Sequence, residues 1–177
     1  MKIDKKFKGL VKEDYRYVFN GDIKTTESLE IDLGMRLFVS GCIEVGGSIE
    51  AGESIEAGEF IKAGGSIEAG ESIKAGEFIE AGGFIKAGWS IKAGGSIEAG
   101  GYYGIVAGLS ITCKDTLSFG LKVFAGICSW RDITDEEKTI TCGKLEGGTV
   151  EYGILRETGV EESGCIVTGK QIGRAHV

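Results

Sequence analysis

Proline is absent from all 177 residues of this chain. Because proline lacks a backbone N–H and interrupts the hydrogen-bond ladder of a sheet, its absence leaves every residue able to join such a ladder. Histidine is nearly absent as well, since the only one is His176, close to the end of the sequence. Histidine is a frequent general base and a common zinc ligand. Chemistry that depends on histidine is therefore excluded from residues 1–175.

An excess of positive charge is also missing, because 20 lysines and arginines stand against 27 aspartates and glutamates, for a net charge of −7. Binding to a phosphate backbone needs clustered basic residues, so we expect no nucleic-acid partner. No apolar run is long enough for a signal peptide or an integral membrane segment. The five cysteines include no closely spaced pair. Unpaired thiols without an export signal are typical of a cytoplasmic protein, and we expect that location.

What the sequence does contain is a six-residue repeat of the form Ile-Glu/Lys-Ala-Gly-x-Ser/Phe. Isoleucine recurs at every sixth position, namely 43, 49, 55, 61, 67, 73, 79, 85, 91 and 97. In an extended strand, residues two apart point to the same side, so Ile and Ala share one side and the charged residue points to the other. Ile and Ala are therefore the predicted interior. Glycine, which tolerates positive φ and a close backbone approach, marks a predicted corner.

A helix and a disordered chain are the two alternatives to a solenoid. A helix is disfavoured because isoleucine at every sixth position drifts around a period of 3.6 residues, and each interior glycine costs ~1 kcal/mol. Disorder is disfavoured because the unbroken Ile/Ala pattern supplies a side that can be buried, despite the 31 glycines. A repeat this regular predicts a β-solenoid.

A slower period of eighteen residues sets the number of hexads in each turn. Gly-Gly pairs begin at positions 46, 64, 82 and 100, and Phe60 precedes Phe78 by eighteen residues. We therefore predict an all-β fold, a single-stranded parallel β-helix with three hexads per 18-residue turn. Its cross-section is triangular, and residues i and i+18 stack ~4.8 Å apart. In that register Glu44, Lys62 and Glu80 form a row of alternating charge.

The predicted solenoid covers residues 31–129. Extending the period toward the carboxyl end places a loop or bulge near Lys114–Thr116, where Asp115 falls on an interior position. The same extension assigns three further pairs to the interior: Tyr103/Ile105, Leu109/Ile111 and Leu121/Val123.

The segments on both sides of the predicted solenoid are expected to act as caps. Residues 1–30 contain a predicted strand over Tyr15–Phe19, followed by a turn at Asn20-Gly21. Residues 130–171 contain Thr134-Asp-Glu-Glu137, a capping-box pattern that predicts a short helix, and strands near Thr139 and Thr149. Residues 172–177 read as the in-frame translation of a sequencing adapter. We therefore expect that segment to be an artefact and the carboxyl-terminal cap to be truncated.

Aromatic residues occupy outward positions of the predicted prism. Phe60 should stack with Phe78 on one face, Phe84 should stack with Tyr102 on another, and Trp89 falls at a corner. Stacked pairs build a patch, unlike single exposed aromatics. These five residues either strengthen packing between neighbouring strands or form an interface with another chain or with the terminal segments. Both interpretations stay open from the sequence.

No catalytic residue, cofactor site or metal site is predicted. Glu53 stacks over Glu71, which could raise the pKa of one carboxyl, but a solvated row of corner residues is the preferred interpretation. Cys113, Cys128 and Cys142 are spaced by fifteen and fourteen residues, which matches no compact metal-ligand motif. The glycine-rich corners lack the Lys-Ser/Thr of a phosphate-binding loop. The glycines are therefore interpreted as architectural.

The repeated Ile-x-Ala-Gly units, with Ile43-Glu-Val45-Gly, resemble those of the bactofilins, over residues 31–129. The bactofilins are cytoskeletal proteins with a right-handed triangular prism, and they polymerise end to end. The hexads are also similar to those of the hexapeptide acyltransferases and γ-class carbonic anhydrases, which have left-handed prisms. Those enzymes place a small residue two before the large aliphatic one, whereas Ala51 here comes two after Ile49. They also rely on histidine, so neither activity is implied for any residue here. The handedness stays open, with a right-handed coil favoured.

These observations predict a non-enzymatic structural or scaffold protein, a rigid solenoid that associates with copies of itself end to end or laterally. A bactofilin-like cytoskeletal role is one form of this function. The alternative is a binding or adaptor module in which the carboxyl-terminal segment holds another protein and the solenoid is a spacer. A third alternative is a hexapeptide-type acyltransferase relative without its histidine. The expected partner is a second copy of the chain, and no other protein partner is identified.

Overall fold

Each hexad forms a three-residue strand followed by a bend, and the strands stack into a parallel β-solenoid. The computed structural model describes residues 1–159, which contain 22 strands and no α-helix. The strands are β1 (Lys2–Asp4), β2 (Leu10–Lys12), β3 (Arg16–Phe19), β4 (Ile23–Thr25), β5 (Leu29–Asp32), β6 (Arg36–Val39), β7 (Ile43–Val45), β8 (Ile49–Ala51), β9 (Ile55–Ala57), β10 (Ile61–Ala63), β11 (Ile67–Ala69), β12 (Ile73–Ala75), β13 (Ile79–Ala81), β14 (Ile85–Ala87), β15 (Ile91–Ala93), β16 (Ile97–Ala99), β17 (Ile105–Ala107), β18 (Ile111–Cys113), β19 (Thr116–Ala125), β20 (Thr139–Cys142), β21 (Lys144–Tyr152) and β22 (Ile154–Glu157).

Three columns of strands make the three faces of the prism. Face 1 contains β1, β5, β8, β11, β14 and β17, face 2 contains β4, β7, β10, β13 and β16, and face 3 runs from β2 through β3, β6, β9, β12, β15, β18 and β20 to β22. The longer β19 and β21 each extend across faces 2 and 1. Ile61 pairs with Ile79 in parallel, which confirms the predicted turn of eighteen residues. The column of face 3 corresponds to about eight turns, a length of roughly 40 Å at ~4.8 Å per turn.

The interior consists of the Ile and Ala of each hexad, as the pattern predicted. The isoleucines of β9 to β18 are fully buried, and the alanines behind them are at most 3% exposed. Burial of one such isoleucine contributes roughly 1.5–3 kcal/mol to folding. The outward positions carry the predicted rows of alternating charge, with Lys62 Nζ 2.9 Å from Glu80 Oε1 and Lys24 Nζ 3.8 Å from Glu44 Oε2.

The corner glycines are required because of close backbone approach. A Cβ on Gly70 would lie 2.0 Å from the carbonyl oxygen of Gly52, one turn below, and the same clash recurs at Gly64, Gly76 and Gly88. None of these corner glycines has a positive φ. These corners therefore require glycine because it has no side chain, and not because it can adopt the left-handed conformation.

The serine that precedes isoleucine in many hexads completes the hydrogen bonding between turns. The backbone N–H of Ser66 donates to Ser48 Oγ at 3.1 Å, and that of Phe84 donates to Ser66 Oγ at 3.2 Å. On face 3, the N–H of Ser72 donates to Ser54 Oγ in the same way. A backbone donor that has no partner in the strand ladder thus finds one in the side chain of the previous turn.

The predicted register toward the carboxyl end is wrong by two residues. Ile97 and Ile105 are eight residues apart, because Tyr102 and Tyr103 enlarge one corner, and Ile105 then pairs with Ile85. The interior pairs after this corner are therefore Ile105/Ala107, Ile111/Cys113, Leu117/Phe119 and Val123/Ala125. Asp115 lies at an exposed corner between β18 and β19, so it causes no bulge there.

A second enlarged corner precedes β6. Leu29 pairs with Ile49 and Ile31 pairs with Ala51, a separation of twenty residues, because the bend after Leu33 contains two extra residues. Gly34 in this bend has a φ of +64°, a conformation that favours glycine.

The boundaries predicted at residues 30 and 129 do not mark the ends of the parallel ladder. Strand β1 pairs with β5, and β20 and β22 continue face 3 beyond β18. The predicted strand near Tyr15–Phe19 is present as β3, which also makes the sole antiparallel pair among residues 1–159, with β2. The capping box is present too, since Thr134 N donates to Glu137 Oε2 and Glu137 N donates to Thr134 Oγ1. The helix it precedes is a single 3-10 turn, Glu136–Lys138.

Replacing Gly70 with alanine should destabilise the protein by about 1–3 kcal/mol, because the new Cβ displaces the backbone of the turn below. Gly52 is a matched control in the same column, since the enlarged corner beneath it leaves nothing within 4 Å of its added Cβ. We expect Gly52→Ala to change the free energy of unfolding by less than 1 kcal/mol. Denaturant titration of both variants measures the difference, and equal losses would contradict the close-approach explanation.

Candidate interaction surfaces

The predicted stack of Phe60 and Phe78 is present on face 2. Their ring centroids are 4.7 Å apart and the ring planes differ by 4°. Both rings lie at the outward position just before an interior isoleucine, and each is only half-exposed because the other covers it. This pair therefore contributes packing between neighbouring turns and offers little free apolar surface.

The predicted stack of Phe84 and Tyr102 is wrong. The enlarged corner shifts the register, so the backbone N–H of Ile85 donates to the carbonyl of Gly104 and the residue beside Phe84 is that glycine. Tyr102 lies in the turn of the corner itself and is 86% exposed. Phe84 remains 37% exposed on face 1. Neither ring covers the other.

Trp89 lies at the corner between faces 1 and 3, as predicted, one turn above Glu71. Its backbone N–H donates to the Glu71 carbonyl at 2.9 Å, and its side chain is 46% exposed. The ring lines a shallow groove on face 3 together with Tyr15 and Met35. Glu71 accepts a hydrogen bond from Ser54 Oγ at 2.8 Å, so this carboxylate is held by the serine row.

The carboxyl-terminal half of face 1 carries apolar residues that were not predicted as an interface. In the hexads Ile105-Val106-Ala107 and Val123-Phe124-Ala125, an apolar residue replaces the usual glutamate or lysine at the outward position. Val106 pairs with Phe124, which pairs in turn with Tyr152. The sequence contains this signal, but the shifted register hid it by assigning the wrong positions to the outside.

Three more apolar side chains continue this surface onto the corner between faces 2 and 1. Tyr102 and Tyr103 form the enlarged corner, and the backbone N–H of Leu121, in the next turn, donates to the Tyr103 carbonyl at 3.0 Å. Leu121 is 57% exposed. We call the whole set the apolar end of face 1; it consists of Phe84, Tyr102, Tyr103, Val106, Leu121, Phe124 and Tyr152.

Two of the cysteines occupy alanine positions of the interior. Cys113 and Cys142 are buried on neighbouring turns of face 3, one residue beyond the paired Thr112 and Thr141. Burial raises the pKa of the Cys113 thiol to about 12, with a smaller contribution from Cys142, and burial raises the pKa of Cys142 to about 11. Cys128 is half-buried near Arg131, and Cys165 lies outside the described residues.

One cluster in residues 1–159 brings together three potential metal ligands, Asp22, Cys42 and Glu59, within 4.8 Å of one another. Asp22 Oδ1 accepts the backbone N–H of Cys42 at 3.1 Å, the role that serine has elsewhere in the repeat. Asp22 Oδ2 also lies 3.5 Å from Lys24 Nζ. The backbone hydrogen bond and the lysine account for the position of this carboxylate.

Within residues 1–159, no helix is both long enough and apolar enough to cross a bilayer.

Replacing Cys113 and Cys142 together by alanine should flatten the loss of stability at alkaline pH. A thiol whose pKa is raised on folding contributes stability that is complete below its unfolded pKa, about 9, and is lost as pH rises through the folded pKa. For these thiols the window runs from about pH 9 to about 12. Thermal melts across this window should show a smaller decline for the variant than for the wild type. Parallel curves would show that the two thiols are not held protonated by burial.

Comparison with protein-family models, curated proteins and solved structures finds no match to this chain. The strand register alone therefore establishes the triangular parallel β-solenoid, and the resemblance to the bactofilins and the hexapeptide enzymes stays a prediction, as does the right-handed coil.

Proposed function

We propose that this chain is a non-enzymatic structural protein of the cytoplasm, a rigid rod that acts as a scaffold and associates with copies of itself. The observation that carries the proposal is the continuous ladder of about eight turns, in which a short antiparallel strand covers face 3 at the amino-terminal end. Each turn contacts only its neighbours, so the fold extends in one dimension and leaves a repeated surface along its length. A bactofilin-like role in a filament fits such a rod.

The two ends of the rod differ in their strand edges. At the carboxyl-terminal end, β21 and β22 have outer edges without a strand partner among residues 1–159. Unpaired edges are templates for pairing with another chain. At the amino-terminal end, the strands with an unpaired outer edge are β1, β2 and β4, each only three residues long, and β2 finishes at Lys12. Short edge strands with lysine oppose pairing of two like edges, so contact between two amino-terminal ends is disfavoured.

The two ends also differ in charge. Residues 1–12 contain five lysines and one aspartate, and Lys5, Lys6, Lys8 and Lys12 make no ion pair with another residue of the described chain. Residues 130–159 contain seven acidic and four basic residues. Opposite charge favours contact between unlike ends and opposes contact between like ends. The proposed longitudinal association is therefore head to tail.

An adaptor role for the carboxyl-terminal segment has less support. Strands β20, β21 and β22 belong to the ladder of the rod, so residues 139–157 are not a separate binding module. The described residues give no support to the third alternative, that the chain is a relative of the hexapeptide acyltransferases. Their outward rows carry charge pairs and serine ladders in place of a histidine site.

Reversing the charge of the amino-terminal end should shorten the assemblies. We expect the full chain at 20 mM salt to form species larger than a monomer by light scattering and elongated particles by negative-stain microscopy. The variant Lys5→Glu/Lys8→Glu should lower the mean mass several-fold, and 500 mM salt should do the same to the wild type. The control Lys92→Glu/Lys114→Glu makes an equal charge change on the shaft of the rod and should leave the mass unaltered.

A wild-type chain that is monomeric under every condition would refute self-association. If neither Lys5→Glu/Lys8→Glu nor the control changes the mean mass of the assemblies, the head-to-tail contact alone is refuted.

A further inference from the structure

The outward row of side chains on face 1 changes from charged to apolar partway along the rod. From the amino-terminal end it reads Lys2, Glu30, Glu50, Glu68, Lys86, Val106, Phe124 and Tyr152. The first five residues of this row are charged and the last three are apolar. The buried residues of this face stay Leu, Ile, Val or Ala from β1 to β19, so the internal packing of the solenoid places no demand on this change.

The apolar end of face 1 is uncovered, in contrast to the stacked pair on face 2. Phe60 and Phe78 cover each other, whereas Tyr102, Leu121 and Tyr152 are 86%, 57% and 47% exposed. Packing between turns therefore explains the phenylalanine pair but leaves about half or more of the surface of these three residues in water.

The exposed area is large for a chain of this size. At about 200 Å² for each large side chain, Phe84, Tyr102, Tyr103, Leu121 and Tyr152 together expose roughly 500–600 Å². This lies at the top of the range of about 300–600 Å² for the largest apolar patch on a monomer. Two such patches in contact would bury about 1,100 Å², and their polar rim would bring the total to about 1,200 Å², the lower limit for a specific interface.

The shape and the charge of the surface both match a second copy of the same surface. Face 1 is a parallel sheet whose strands pair in register from β1 to β19, with an irregularity where β21 pairs with β19, and two sheet faces pack well at ~10 Å. The lysines at the border are already neutralised, Lys86 by Glu68 and Lys122 by Glu151. The chain as a whole carries a net charge of −7, so contact between two copies is repulsive over most of the surface. It is least opposed where the surface is apolar and its charges are paired.

We propose that the apolar end of face 1 is the lateral interface between two copies of this chain, which meet face to face about a two-fold axis. This proposal rests on the self-association proposed above and names the surface that provides it sideways. The same residues contact each other in an isologous interface, so the contact closes as a dimer and does not propagate. Because the contact is apolar, high salt preserves it, whereas head-to-tail contacts weaken.

The test uses two glutamate substitutions at equivalent outward positions of neighbouring hexads. Val106→Glu lies in the apolar end of face 1, and Thr112→Glu lies on face 3 in the following hexad. Both restore the charged residue that the repeat carries at this position, and each new carboxylate lies beside a lysine of the turn below, Lys86 or Lys92. Folding should survive in both variants, which circular dichroism checks.

Sedimentation equilibrium of the full chain in 500 mM salt then measures the dimer. We expect the wild type and Thr112→Glu to approach twice the monomer mass, and Val106→Glu to weaken dimerisation at least tenfold. A dimer unaffected by Val106→Glu would overturn the proposed interface. So would a wild type that is monomeric at high salt but assembled at low salt, and self-association would then stand through the rod ends alone. A chain monomeric at both salt concentrations would overturn both proposals, with the apolar surface then covered from within the chain or by a different protein.

Discussion

The in-register contact between successive turns is the constraint on which every other feature depends. Backbones one turn apart are bound by a continuous ladder, and at the corners the chain comes so near to itself that a Cβ on Gly70 would lie 2.0 Å from a carbonyl oxygen. This spacing forces glycine at one hexad position and favours serine at another, where its hydroxyl accepts a backbone N–H. It also stacks each side chain on its equivalent in the next turn, which is why charge alternation and ring stacking appear as rows.

Much of this fold could be predicted from the sequence because, in a strict repeat, the spacing along the chain also determines which residues of neighbouring turns lie side by side. The eighteen-residue turn, the Ile/Ala interior and the Phe60–Phe78 stack all follow from one register. That register failed after Ile97 because Tyr103 and Leu121 are apolar, so hydrophobicity alone fits them inside or outside. The correct register was marked by the motif Ile105-Val-Ala-Gly108, which keeps the glycine that the corner requires.

The candidate surfaces were less predictable for a related reason. An outward position is defined only by the register, so a two-residue error placed Tyr103 and Leu121 in the predicted interior and assigned Val106 and Phe124 to the glycine position of a corner. Tyr102 was placed in a stack that does not exist, and Val106 and Phe124 were overlooked although both break the charge pattern. The ends of the ladder were also hidden, since β1 and β22 lack the hexad motif and join the solenoid through backbone hydrogen bonding.

The equivalence of the hexads between Gly46 and Gly100 gives the rod a property that most folds lack. Adding or removing one 18-residue turn in this region preserves every type of contact and leaves both ends and the apolar end of face 1 intact. Such a change alters only distance, by ~4.8 Å for each turn. The number of repeats therefore determines the length of the rod. Gain or loss of one repeat of three hexads would change that length without requiring a new fold.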